Sequence, residues 1–152
     1  MRDNAQNDSA QRKIRFRLEQ DEDGYPPNEW ETLWATVVGE NAYSIDNIPF
    51  FVRDVSYGDV VSASEDGGVL LFDSLLRRSK NSVIRVIAFS ESVIPGLRRQ
   101  LERLGCDTEG SHIPNLIAVN VPDRANLETI LEFLDNGEKE QLWEYESASF
   151  RQ

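Results

Sequence analysis

Between Val83 and Ser149 the hydrophobic pattern switches back and forth between the periods of strand and helix, and that order restricts the fold more than any other feature of the chain. Val83, Ile84, Val86, Ile87, Ala88 and Phe89 form an apolar run of strand length. Ser90 or Ser92 then caps a helix in which Val93, Leu97, Leu101 and Leu104 recur on one face. Pro95 falls in its first turn, where proline is tolerated, and Gly105 stops it. Cys106 to His112 form a short segment that reaches a Pro114-Asn115 turn, and Leu116 to Val121 are a second strong strand. Pro122-Asp123 opens a second helix with Leu127, Ile130, Leu131 and Leu134 on one face, and Asn136-Gly137 ends it. A final strand spans Glu140 to Ser149.

The order β-α-β-β-α-β is the ferredoxin-like pattern, assigned to residues 82–152. The first half differs in kind. Ile14, Phe16 and Leu18 alternate with Lys13, Arg15 and Arg17, as in a half-buried strand. A loop from Glu19 to Asn28 follows, broken by Gly24, Pro26 and Pro27, and a second strand covers Glu29 to Val38. Gly39-Glu40-Asn41 turns into a short strand at Tyr43 to Ile45, and Glu65-Asp66-Gly67-Gly68 joins strands at Val60 to Ala63 and Val69 to Phe72. Asp73 to Asn81 fits either a further strand or a connector. The expected fold class is thus α+β: a β-rich half over residues 13–81, a small antiparallel sheet or barrel, followed by the ferredoxin-like half. Met1 to Arg12, polar and without an apolar core segment, reads as a disordered leader and not a secretory signal.

Charge narrows the partners. The net charge is −11, and both halves share it, with 9 basic and 15 acidic side chains through Lys80 and 7 and 12 beyond it. Such a field repels nucleic acid and anionic membrane at long range and attracts basic proteins. The expectation is therefore no direct nucleic-acid contact and no membrane contact. No apolar run approaches the roughly 18–20 residues of a membrane span.

No catalytic set, cofactor or metal site is expected. One Cys, Cys106, and one His, His112, cannot supply a zinc site without carboxylates, and Gly67-Gly68 joins two strands, so it is no phosphate loop. The loop Glu19, Asp21, Asp23, Gly24 begins like a calcium loop, but its twelfth position is Trp30 where a bidentate Glu is required. Arg12, Lys13, Arg15 and Arg17 form one basic group, expected to pair with neighbouring carboxylates.

Two acidic places remain as candidate partner-binding sites. One is the loop Asp21, Glu22, Asp23. The other is the last strand, where Glu144 and Glu146 point outward from an expected sheet edge and Trp143 or Tyr145 offers an anchor if either is exposed.

The stretch Lys13-Ile14-Arg15-Phe16 to Trp34-Ala35, with Arg17 to Pro27 inside it, resembles a small bacterial family catalogued as domain of unknown function 4265. Tyr43 to Val52, Gly58 to Ala63 and Ile84-Arg85-Val86-Ile87 are similar to it as well, so that the resemblance covers about Lys13 to Ala148. It implies a bacterial, cytosolic protein and assigns no residue a role. The expectation that results is a cytoplasmic, non-catalytic module that binds a basic protein, as an immunity protein does when it neutralises a toxin of nuclease type. The alternative is a regulatory or small-molecule-sensing module whose ferredoxin-like half dimerises.

Overall fold

Backbone pairing carries the first strand further than its side-chain pattern reaches. The computed structural model describes residues 10–151, and the chain divides into two units, Met1–Ser79 and Lys80–Gln152, each with its own hydrophobic core. Strand β1 (Gln11–Arg17) pairs antiparallel with β2 (Trp30–Gly39), and the ladder includes Gln11 opposite Thr36 and Arg12 opposite Ala35. The expected leader, residues 1–12, lies outside the described residues up to position 9, and its last two residues belong to the strand.

After a turn at Glu40-Asn41, where Asn41 takes a left-handed φ of 47°, β3 (Ala42–Ile45) runs back along β2. Strands β4 (Val60–Asp66) and β5 (Val69–Arg77) form a hairpin over Gly67 and Gly68, whose φ values of 61° and 84° only glycine adopts without cost. The segment after Phe72 is resolved as strand through Arg77. β5 then pairs in parallel with β1, Ile14 opposite Leu70, and closes a five-stranded barrel. Inside it lie Ile14, Phe16, Leu33, Ala35, Ile45 and Val61, with the Phe16 and Phe72 rings stacked at 4.8 Å.

Two carboxylates hold the long connection from Asp46 to Asp59. Glu31 accepts hydrogen bonds from the backbone N–H groups of Phe50 (2.7 Å), Phe51 (3.0 Å) and Val52 (2.9 Å). Asp59, fully buried, accepts from Ser56 N–H (3.0 Å) and Ser79 N–H (2.8 Å). Backbone donors without partners would be costly there, and these side chains supply the acceptors.

In the second unit β6 (Ser82–Ala88) leads through a 3₁₀ turn capped by Ser90 into α1 (Ile94–Arg103), with Leu97 and Leu101 buried and Gly105 at φ 96° after it. Strands β7 (Asp107–Gly110) and β8 (Leu116–Val121), helix α2 (Leu127–Lys139) and β9 (Trp143–Ser149) complete it. The sheet order is β7-β8-β6-β9, antiparallel throughout, so β9 is an edge. The chain is thus mixed α+β, with sheets of five and four strands and two α-helices among the described residues.

Three boundaries differ from expectation. Pro122 and Asp123 lie in a turn closed by Ala125 N–H to Pro122 O, and Asn126 is the helix cap, accepting from Thr129 N–H at 3.1 Å. Asn136-Gly137 does not end α2, which runs on to Lys139. Glu140 and Gln141 then make the tight return, Gln141 at φ 61°, so the last strand starts at Trp143 and not at Glu140.

Candidate functional site

At the free edge of β9 the side chains of two elements and one turn converge. Tyr145 N–H, on the unpaired side of the strand, donates to Glu138 Oε2 of α2 (3.0 Å), and Tyr145 Oη donates to Asp135 Oδ1 of the same helix (2.5 Å). Burial, then that hydrogen bond and the negative charges of Asp135 and Glu138, push the Tyr145 hydroxyl from its ordinary 10.0 up to about 12, so it stays a neutral donor. Glu144 stands opposite Ile87 on the neighbouring strand β6. Just past the end of β6, Phe89 is held by its N–H to Leu142 O (3.0 Å), with its side chain 54% exposed.

Phe89, Glu138, Gln141, Trp143, Glu144 and Tyr145 line an open cleft of about 670 Å³. Its chemistry is plain. Two carboxylates offer acceptors beside an exposed aromatic ring, which suits an ammonium or guanidinium group carried on an apolar stem.

Of the expected contacts on this strand, Glu144 lines the cleft, while Glu146 faces Arg85, with Nη1 to Oε1 at 4.0 Å. Trp143 is not a surface anchor. It is 4% exposed, its indole N–H donates to Leu134 O at 3.0 Å, and Phe133 packs on it at 5.4 Å between ring centroids. It forms the floor of the cleft. Glu138 and Phe89, which sequence reasoning passed over, supply what Trp143 was expected to supply. Position gave little signal: Phe89 reads as the last residue of an apolar strand, and Glu138 as lying just past the end of the helix.

The acidic loop is a separate matter, in the other unit. Asp21 Oδ1 accepts from Asp23 N–H and Tyr25 N–H, both at 2.9 Å, and so serves the turn itself. Glu22 and Asp23 are exposed. Lys13, Arg15 and Arg17 correct another expectation, because they lie over indole rings and not against carboxylates.

Among the described residues no group of three or more His, Cys, Asp or Glu side chains is placed to hold a metal ion. No helix among them is long and apolar enough to cross a membrane. Cys106 is buried, and desolvation with the nearby Asp107 charge raises its thiol to about 12, the opposite of an activated nucleophile.

The chain is similar in fold to the crystal structure of a hypothetical protein from Neisseria gonorrhoeae, with a TM-score of 0.75 at 19% identity, covering 92% of this chain and 95% of that one. No curated protein matches it. A family model, Domain of unknown function (DUF4265), matches residues 31–145, in agreement with the resemblance read from the sequence. On that match the chain belongs to this family of domains of unknown function.

Proposed function

We propose that this chain is a non-catalytic, cytoplasmic protein-binding module that grips a basic partner at the β9 edge, and that the partner is a toxin of nuclease type which it neutralises. The observation that carries the reading is the cleft itself, lined by Glu138, Glu144 and the exposed ring of Phe89. A solvated carboxylate gains little from a lone cation, whereas an apolar ring beside two carboxylates allows a lysine or arginine to bury its stem while its head is neutralised. The net charge of −11 supplies steering toward such a partner. We also assign the C-terminal unit to the ferredoxin-like fold, on its β-α-β-β-α-β order and its β7-β8-β6-β9 sheet.

The test is capture from the native host at low salt, comparing the tagged chain with a Glu144→Lys/Phe89→Ala variant. One stoichiometric basic protein, retained by the first and lost by the second, is the expected result. That protein should be lethal when expressed alone and harmless beside this chain. Equal capture by both forms refutes the placement of the interface. A partner that is harmless by itself refutes the immunity reading while leaving the cleft intact.

A second reading has its own support. Ile87 is 44% and Phe89 54% exposed next to an edge strand, a surface that a second copy could cover in a dimerising, regulatory module. Sedimentation equilibrium separates the two: a dimer dispersed by Phe89→Ala favours this reading, and a monomer removes it.

A further inference from the structure

The outer face of the β1–β2 ribbon has a character opposite to that of the chain as a whole. Lys13, Arg15 and Arg17 point outward from β1 and lie across the ladder from Trp34, Thr32 and Trp30. Lys13 Nζ sits 4.9 Å from the Trp34 ring centroid, and the Arg15 and Arg17 guanidinium carbons sit 5.6 and 5.5 Å from that of Trp30. Both indoles remain accessible, Trp30 at 37% and Trp34 at 43%. No Asp or Glu occupies any outward position of the ladder between Gln11 and Arg17 or between Trp30 and Thr36. Asp46, beside it, is engaged by the Gln11 side-chain amide at 3.0 Å.

We infer that this face binds a single strand of nucleic acid, its bases stacked on Trp30 and Trp34 and its phosphates held by Lys13, Arg15 and Arg17. The inference does not rest on the cleft reading. The two indoles project from the same side of one strand, four residues apart, about 13 Å at ~3.3 Å per residue. The cations form a second row on β1, directly across the ladder from them, so charge and stacking surface run side by side, as a strand with phosphates along one side and bases along the other requires. The backbone is firm under the outer indole: Trp34 N–H donates to Asn47 Oδ1, and Trp34 O accepts from Asp46 N–H at 2.8 Å.

The net charge of −11 argues against nucleic acid only at a distance. Carboxylates more than about 8–10 Å from the face, the screening length at 0.15–0.1 M salt, are largely screened from a ligand seated on it, which responds to the cations beside it. Covering the indoles is the competing role for these cations. It accounts for the ring contacts but not for the absence of Asp and Glu from the outward positions of the β1–β2 ladder itself, where in so acidic a chain they would be the ordinary neighbours.

The experiment is fluorescence anisotropy of the full chain with labelled oligo-dT and oligo-U of about 12 nucleotides, within the ~4–16 that one small barrel spans. Binding is expected at about 0.05 M salt, with log K falling against log salt at a slope near −2, the value for three cations on a single strand. Trp30→Ala/Trp34→Ala should weaken binding by about 25-fold or more with the slope unchanged, since each base stack is worth about 5- to 150-fold. Lys13→Gln/Arg15→Gln/Arg17→Gln should flatten the slope, and Trp34→Phe should keep most of the affinity and so separate lost stacking from misfolding. Absence of binding overturns the inference. So does equal affinity for a duplex or for polyglutamate, or an affinity indifferent to the loss of both indoles.

Discussion

Gly137 and Trp143 occupy what is nearly the same space. A Cβ built on Gly137 would fall 1.9 Å from Cζ2 of the Trp143 indole, whose N–H is already committed to Leu134 O at 3.0 Å. Helix α2 and strand β9 approach so closely because this one position carries no side chain.

Gly137→Ala should therefore destabilise the chain. In an exposed helix the change would gain about 1 kcal/mol, but overpacking against a rigid, hydrogen-bonded ring costs about 1–3 kcal/mol or more. A net loss near 2 kcal/mol, read as a lowered urea midpoint at constant slope, is expected. Adding Trp143→Leu should recover part of it, and a neutral or stabilising Gly137→Ala would contradict the packing described.

Glu31 is the organiser of the segment from Phe50 to Val52. Glu31→Ala leaves three backbone donors without their acceptor and should cost about 3 kcal/mol, while Glu31→Gln, which keeps one acceptor oxygen, should cost about half of that. Amide hydrogen exchange at Phe50, Phe51 and Val52 is the measurement, and protection unchanged in Glu31→Ala would sink the assignment.

Cys106 and Tyr145 predict an alkaline weakness. Their ordinary values of 9.0 and 10.0 both rise to about 12 in the folded chain. Between about pH 9 and 12 the native state thus holds protons that the unfolded chain has released, and stability must fall as pH rises through that window. Denaturant midpoints measured from pH 8 to 11 should decline, and Tyr145→Phe with Cys106→Ala should flatten the decline. Native Cys106 should react with a maleimide at pH 8 only as fast as its surroundings open.

Asn126 caps α2, and Asn126→Ala should cost about 1 kcal/mol. Asp123→Ala, in the turn before it, should cost less than half as much. The reverse ranking in thermal melts would move the start of the helix back toward Pro122.

The sequence was informative where a local signal decides and misleading where a distant residue does. Leu116 to Val121 is bounded by a turn and apolar at every position but Asn120, and it is the strand it looks like. Gly137 follows Asn136 near the end of a helical pattern and reads as a stop, yet its role is to admit an indole from a later strand. Trp143, for the same reason, looks like an exposed anchor and is a buried floor. Glu31 has the appearance of a strand glutamate, since nothing local shows that Phe50 to Val52 return to it. In the basic group the alternation of Lys13, Arg15 and Arg17 was legible, but the register that sets them opposite Trp30 and Trp34 depends on the intervening loop. The cleft was legible only in part, Trp143, Glu144 and Tyr145 from their strand and Phe89 and Glu138 not at all.

The parallel closure of the barrel has a consequence for how the chain is made. Ile14 and Phe16 meet Leu33 and Ala35 early in synthesis, but Leu70 and Phe72 leave the ribosome much later. Until then β1 and β4 are both bare edges of an open sheet, with unpaired N–H and C=O groups of the kind that recruit other nascent chains. Contacts so far apart in sequence form slowly. Translation that pauses before β5 has left the ribosome should hold a sticky intermediate, and a pause after it a finished barrel, so that codon choice or chaperone supply over this stretch should alter soluble yield.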